Sequence, residues 1–214
     1  MKDRELIDSI IELYKEARVT VFSKANIKRG RNHSIASKVE DLFAVYVSEL
    51  LPDDVEILID QPFTYRNDNN TNYAIYPDIA VIKDSEIIKM FDVKMDLGWN
   101  RNFFPFCEDK QKLIDQIRSK EAKARDGVTK EGKKYRISEK IKYNVVIISN
   151  ENISKTKKDE NLREIDNLDK DKIEVFILTE NIHPNNYDKE IVKNINLRQT
   201  DFVNLRTEIK SNAI

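Results

Sequence analysis

Residues 76–94 read YPDIAVIKDSEIIKMFDVK. Two β-rich runs, YAIYPDIAVIK and EIIKMFDVKMD, meet at the turn-like Lys83-Asp84-Ser85 and are expected to pair as a hairpin. Three ionisable groups interrupt the apolar pattern. Asp78 follows Pro77, and Asp92 and Lys94 stand two residues apart. Alternate side chains of a strand share a face, so Asp92 and Lys94 point the same way while Val93 points into the core. A hairpin folded about residues 83–85 brings Asp78 near the level of Asp92. Two carboxylates and an ammonium then converge.

Working outward, helical spacing marks RELIDSIIELYKEARVTVF near the start and, more strongly, NHSIASKVEDLFAVYVSELLPDD, whose apolar stripe runs from Ile35 to Leu50 before Pro52 stops it. Ser34 is the expected N-cap of this second helix. VEILID reads as a strand and RNDNNTN as a polar turn. After the hairpin come an aromatic-rich connection (LGWNRNFFPF), a helix over about residues 108–125 and a polar loop, DGVTKEGKKYRISEK. YNVVIIS and KIEVFILTE are apolar enough to be strands buried on both faces. A weak helix lies between them, and a partly helical tail follows. The order is helix, helix, three strands, helix, strand, weak helix, strand, helix. It implies an α/β fold with a mixed central sheet flanked by helices, whose strand ends are where ligands tend to bind.

With 214 residues, 40% of them hydrophobic, the chain can build one substantial core, so a single domain is expected. Charged residues make up 35% yet sum to a net charge of -1, which excludes a globally basic nucleic-acid binder but not a locally basic one. The single cysteine, Cys107, forms no internal disulfide, which fits a reducing cytoplasm, and is expected as a buried small side chain. The charged start does not read as a signal peptide, and no run approaches the ~20 apolar residues of a membrane span. With four glycines there is no Gly-rich phosphate loop.

Facing carboxylates in an apolar setting are costly unless neutralised, and a divalent cation does this well. Hard oxygen donors suit Mg²⁺, with Mn²⁺ as a substitute; Asp78, Asp92 and the Val93 carbonyl are the candidate ligands. Lys94 would face the metal-bound water or a scissile phosphate. Glu40, one residue past the apolar Val39 on the second helix, reaches the same place if that helix covers the hairpin. Removing Asp92 is expected to relieve repulsion in the metal-free protein and so to spare folding. The Asp/Glu-x-Lys spacing also occurs at Glu108, Glu121, Glu131 and Glu208, but on polar segments that read as solvated faces. An exposed hairpin with a solvated ion pair is the plainer alternative.

Pro77-Asp78, then Asp92-Val93-Lys94, with Glu40 on the preceding helix, resembles the PD-(D/E)XK nuclease superfamily. The element order over about residues 33–150 is similar to that superfamily's αβββαβ core, the restriction-endonuclease-like fold. Residues 1–32 and 151–214 would be helical embellishment. The resemblance implies metal-dependent hydrolysis of phosphodiester bonds in double-stranded DNA, with Asp78 and Asp92 as ligands, Lys94 as the catalytic lysine and Glu40 as an auxiliary acid. The Gln-x-x-x-Tyr of RecB-like exonucleases is not matched, since Gln111 is followed by Asp115 and Gln116 by Lys120. By size and elimination the chain looks most like a type II restriction endonuclease, for which a homodimer is expected. Its interface is expected on the apolar stripes of the N-terminal helix and the C-terminal tail. A DNA repair or recombination nuclease and a non-catalytic DNA-binding module of the same fold are the alternatives.

Lys24, Lys28, Arg29, Arg31 and Lys38 form an acid-free basic stretch, and residues 110–142 hold twelve Lys/Arg against five Asp/Glu. Such stretches supply phosphate contacts, which position a protein without reading sequence. Lys28, Arg29 and Arg31 are the candidate backbone contacts. Asn100, Arg101 and Asn102, just past the lysine strand, are candidates for reading base edges. The aromatic residues beside them are expected to pack the crossover against the sheet, with stacking on bases the other reading. His183 is expected to be structural.

Overall fold

The structure, a computed structural model, describes residues 1–19, 27, 30–100, 102–127, 129–187 and 190–211. In chain order it contains α1 (Asp3–Glu16), α2 (Ala36–Ser48), β1 (Glu56–Ile59), β2 (Phe63–Arg66), β3 (Asn72–Ile75), β4 (Ile79–Lys83), β5 (Glu86–Lys94), α3 (Phe103–Ile117), β6 (Glu121–Arg125), β7 (Gly132–Ile137), β8 (Tyr143–Ser149), α4 (Lys155–Asp166), β9 (Ile173–Glu180), β10 (Asn196–Leu197) and α5 (Gln199–Lys210). The class is α/β, and all ten strands belong to one mixed sheet.

β5 is the hub of that sheet. One edge pairs antiparallel with β4, which pairs in turn with β1. Along the other edge, residues 90–94 run parallel to β8, and β9 continues parallel beyond it. The expected hairpin is present. Asp84 and Ser85 both have positive φ (51° and 64°), the conformation of a two-residue turn whose twist matches its strands. Ile79 pairs with Phe91, so Asp78, just before β4, comes level with Asp92. A bulge between Val81 and Ile82 shifts the register farther from the site.

Two apolar clusters cover the two faces. Val93, Phe91 and Ile79 pack with residues of α1, α2 and α5 on one face. Met90, Val145 and Ile147 pack with Phe103, Ile114 and Ile165 on the other, where α3 and α4 lie. The terminal segments are therefore part of the main core: Leu6, Ile7, Phe202, Leu205 and Ile209 are all buried there. The apolar stripes expected to serve a dimer interface are used within the chain.

The sequence reading missed a second, antiparallel part of the sheet. At the start of β5, Glu86 and Ile87 pair with β7, and from there β7, β6, β2 and β3 form a ribbon. Three expectations change accordingly. The helix expected over 108–125 ends at Ile117, and residues 121–125 are strand β6. The polar loop after it contains β7. The run 73–83 is two strands, broken at Tyr76-Pro77-Asp78, because Pro77 has no N–H for a ladder. Ser34 is not the cap of α2 either. Ile35 holds that position, and the Ser34 hydroxyl accepts from the Ala36 amide at 3.4 Å. Among the described residues no helix is long and apolar enough to cross a membrane.

Candidate functional site

The site is built where β4 begins and β5 ends. With Val93 turned into the core, Asp92 and Lys94 face the other side of the sheet. Asp78 Oδ2 accepts from the Val93 amide (2.7 Å) and from Lys94 Nζ (3.0 Å). Lys94 Nζ is also 3.7 Å from Asp92 Oδ2. One ammonium thus reaches both carboxylates. Those two lengths laid end to end stay well under ~10 Å, so the carboxylates are near enough to share one small cation and its waters.

Burial, and next the negative charge of Asp92, raise the Asp78 pKa above the ordinary carboxylate value; Lys94 and the Val93 amide oppose the shift without cancelling it. Glu40 stands beside the same group from α2. Its carboxyl is raised first by burial and then by the charge of Asp78, with Lys94 pulling the other way.

Two groups that the sequence reading did not single out hold Asp92, which is only 4% exposed. The Tyr143 hydroxyl donates to Asp92 Oδ1 at 2.8 Å. Lys110 Nζ lies 3.3 Å from Asp92 Oδ2 and donates to the Tyr143 oxygen at 2.6 Å. It also sits over the Tyr143 ring, 4.1 Å from its centre, and 5.1 Å from that of Phe106. Burial and the adjacent Asp92 drive the Tyr143 pKa well above its usual value, so the phenol stays a donor. The two carboxylates are thus already neutralised by two lysines. Deleting Asp92 would free Asp78 of a like charge and leave Lys94 its closer partner Asp78, but it would take the carboxylate partner from Lys110 and from the buried Tyr143 hydroxyl.

The donor set suits a hard cation. Asp78 and Asp92 supply carboxylate oxygens, and the Val93 carbonyl lies on the strand edge whose amide already binds Asp78. Mg²⁺ needs no more, because it takes one or two carboxylates and keeps its waters. Among the described residues no group of three or more His, Cys, Asp or Glu side chains stands close enough to hold a metal. Glu40 stands on the flank of the carboxylate pair.

The connection after β5 roofs this corner. Leu97 and Phe103 are buried as packing residues, whereas Trp99 is 42% exposed and lies 5.5 Å from Lys94 Nζ. Asn100 Oδ1 accepts from the Asn102 amide at 2.9 Å, closing a local turn. Arg101, Lys24, Lys28 and Arg29 lie outside the described residues. Arg31 is exposed in the segment leading to α2. Cys107 is buried, and burial pushes its thiol up to about 12, so it is inert packing. His183 is buried as well; its Nε2 is 3.3 Å from Asp96 Oδ2, and its Nδ1 accepts from the Asn185 amide. Comparison with protein-family models, with curated proteins and with solved structures finds no match for this chain.

Proposed function

We propose that this chain is a metal-dependent endonuclease that hydrolyses phosphodiester bonds in double-stranded DNA, of the PD-(D/E)XK kind and most like a type II restriction enzyme. One observation carries the reading: Asp78, just before β4, and Asp92, on the adjacent β5, both lie within reach of the Lys94 ammonium. The succession α2, β1, β4, β5, α3, β8, with β1, β4 and β5 antiparallel and β8 parallel to β5, supports it as the αβββαβ order of that superfamily.

In this reading Asp78 and Asp92 would hold Mg²⁺, with the Val93 carbonyl as a third donor. Such a cation, when bound, would supply a water of lowered pKa and charge stabilisation for the phosphoryl oxygens. Lys94 would then turn from its carboxylate partners to orient the attacking water or to offset charge on the phosphate. Lys110 and Tyr143 hold the Asp92 carboxylate in one orientation, and Glu40 acts from the flank. DNA cleavage by a homodimer in the cytoplasm completes the proposal. A plasmid-nicking assay with Mg²⁺ and with EDTA tests it. Metal-dependent nicking supports the nuclease. DNA binding without nicking under any divalent cation instead makes the protein a non-catalytic DNA-binding module.

A further inference from the structure

The β2–β3–β6–β7 ribbon has two unlike faces. Its inward residues, among them Phe63, Tyr65, Ala122, Ala124 and Tyr135, are buried in the second core cluster. Its outward strand residues are Thr64, Arg66, Asn72, Ala74, Glu121, Lys123, Arg125, Gly132, Lys134 and Arg136, all exposed. That face carries five cations and one acid. Among the described residues no helix covers it, and Thr64, Arg66, Asn72, Glu121 and Lys123 help to line an open cleft of about 560 Å³ along it.

Its charges cancel only in part, since Glu121 is directly opposite Arg136 in the register and is the one acid among them. Lys123 is directly opposite Lys134 in the register, and like charges so placed destabilise a sheet. The lone acid, Glu121, gives its carboxylate to Lys134 at 3.1 Å. Arg66 turns to the neutral side chains of Asn70 and Asn72, and Arg125 to a backbone carbonyl. Among the described residues neither Lys123 nor Arg136 has an acid within ion-pair distance. One end of the face is tied to the candidate site. Gln61 Nε2 donates to the Arg125 carbonyl at 3.3 Å, and the amide of the preceding Asp60 donates to the Asp78 carbonyl at 2.8 Å.

We infer that this face is a docking surface for the phosphate backbone of double-stranded DNA. The inference rests on the nuclease reading for its choice of polyanion. Five cations gathered on one exposed face with a single acid, two of them without an acid in ion-pair distance, suit a partner of dense negative charge. Duplex DNA is such a partner, with one charge per ~1.7 Å of its axis. Backbone contacts of this kind add affinity without adding sequence preference.

The test is fluorescence anisotropy of a labelled duplex in EDTA, so that cleavage plays no part, repeated over a salt series. Lys123→Gln, Lys134→Gln and Arg136→Gln should each reduce the slope of log affinity against log salt by about 1, for cognate and unrelated duplexes alike. Thermal melting controls for folding. Lys123→Gln should melt at or above the wild-type temperature, because it removes the repulsion with Lys134. A binding defect in a variant that melts normally is therefore a surface effect. An unchanged slope in the triple variant overturns the inference, as does binding to vesicles of anionic phospholipid with none to DNA. Failure here with metal-dependent nicking intact would leave the nuclease reading standing. Slope changes without nicking would leave the surface and remove the catalyst.

Discussion

Asp92 shows how much one buried carboxylate organises. It accepts from Tyr143 and lies within ion-pair distance of both Lys94 and Lys110. Tyr143→Phe is a near-isosteric test of that network. It removes a donor to a charged acceptor, and should lower stability by roughly 1.5–3 kcal/mol in urea denaturation. For the proposed chemistry, Lys94→Ala and Asp92→Asn should each abolish Mg²⁺-dependent nicking. Asp92→Asn is the sounder variant than Ala, since the amide keeps an acceptor for Tyr143. Glu40→Gln should be milder, because water can replace an auxiliary carboxylate around Mg²⁺. Lys94→Ala cutting at the wild-type rate would remove the catalytic assignment. The raised carboxyls of Asp78 and Glu40 give a pH signature. Folding tightens their hold on a proton, so metal-free stability should fall as pH rises from the ordinary values of about 4 through the raised ones, then level off. Melting temperatures in EDTA across that range check the sign, and Asp78→Asn should flatten the curve. Asp78, Asp92 and Lys94 were legible because ionisable groups inside apolar strand runs are conspicuous. Lys110 and Tyr143 were not: the lysine sits among other polar residues of a helix, and the tyrosine looks like the first residue of a buried strand.

At the level of elements, the β4–β5 hairpin was readable because alternation, turn position and register all follow from about twenty consecutive residues. The ribbon was not. EAKAR, the sequence of β6, carries its buried face on two alanines, which are better helix formers than strand formers. Its strand character comes from its neighbours β2 and β7 on either side, which is tertiary context that no local pattern holds. Gly98 is a second such case. It interrupts the connection after β5, and a Cβ there would lie 2.1 Å from the Asn152 carbonyl oxygen and 2.7 Å from its carbon. The close approach joins the roof of the site to the segment between β8 and α4, reinforced by the Asn152 side chain donating to Asp96 at 2.8 Å. Gly98→Ala must push two backbones apart. It should cost about 1–3 kcal/mol, as overpacking does. It should also change the fluorescence of the single tryptophan, Trp99, next to it. A Gly98→Ala protein with wild-type stability and emission would show that the two segments are not in contact.

Across the whole molecule, the expected division into a core of residues 33–150 with helical additions at each end meets a different packing. The stripes of α1 and α5 looked free for a partner because the sequence does not say which elements lie against them. In the fold they are buried against the sheet, α1 meets α5 through the Asp3–Arg206 ion pair, and Tyr46 of α2 donates to the same aspartate at 2.8 Å. A buried tie joins α5 to the hub strand. Lys89 of β5, 1% exposed, donates to Glu208 at 2.8 Å and to Ser211 at 2.9 Å, and Lys142 lies 3.7 Å from Glu208. Burial lowers the Lys89 pKa, with Glu208 as the chief opposing influence. Glu208→Ala would leave that ammonium buried without its partner, and should cost about 3–5 kcal/mol. Pairing it with Lys89→Met removes the stranded charge and should recover most of the loss, a coupling that a double-mutant cycle in urea reads directly. The outcome also separates two views of the C-terminal helix. If α5 is part of the core, Glu208→Ala lowers the midpoint of a single cooperative transition. If α5 were a docked appendage, the main transition would keep its midpoint and only a small helical signal would be lost ahead of it.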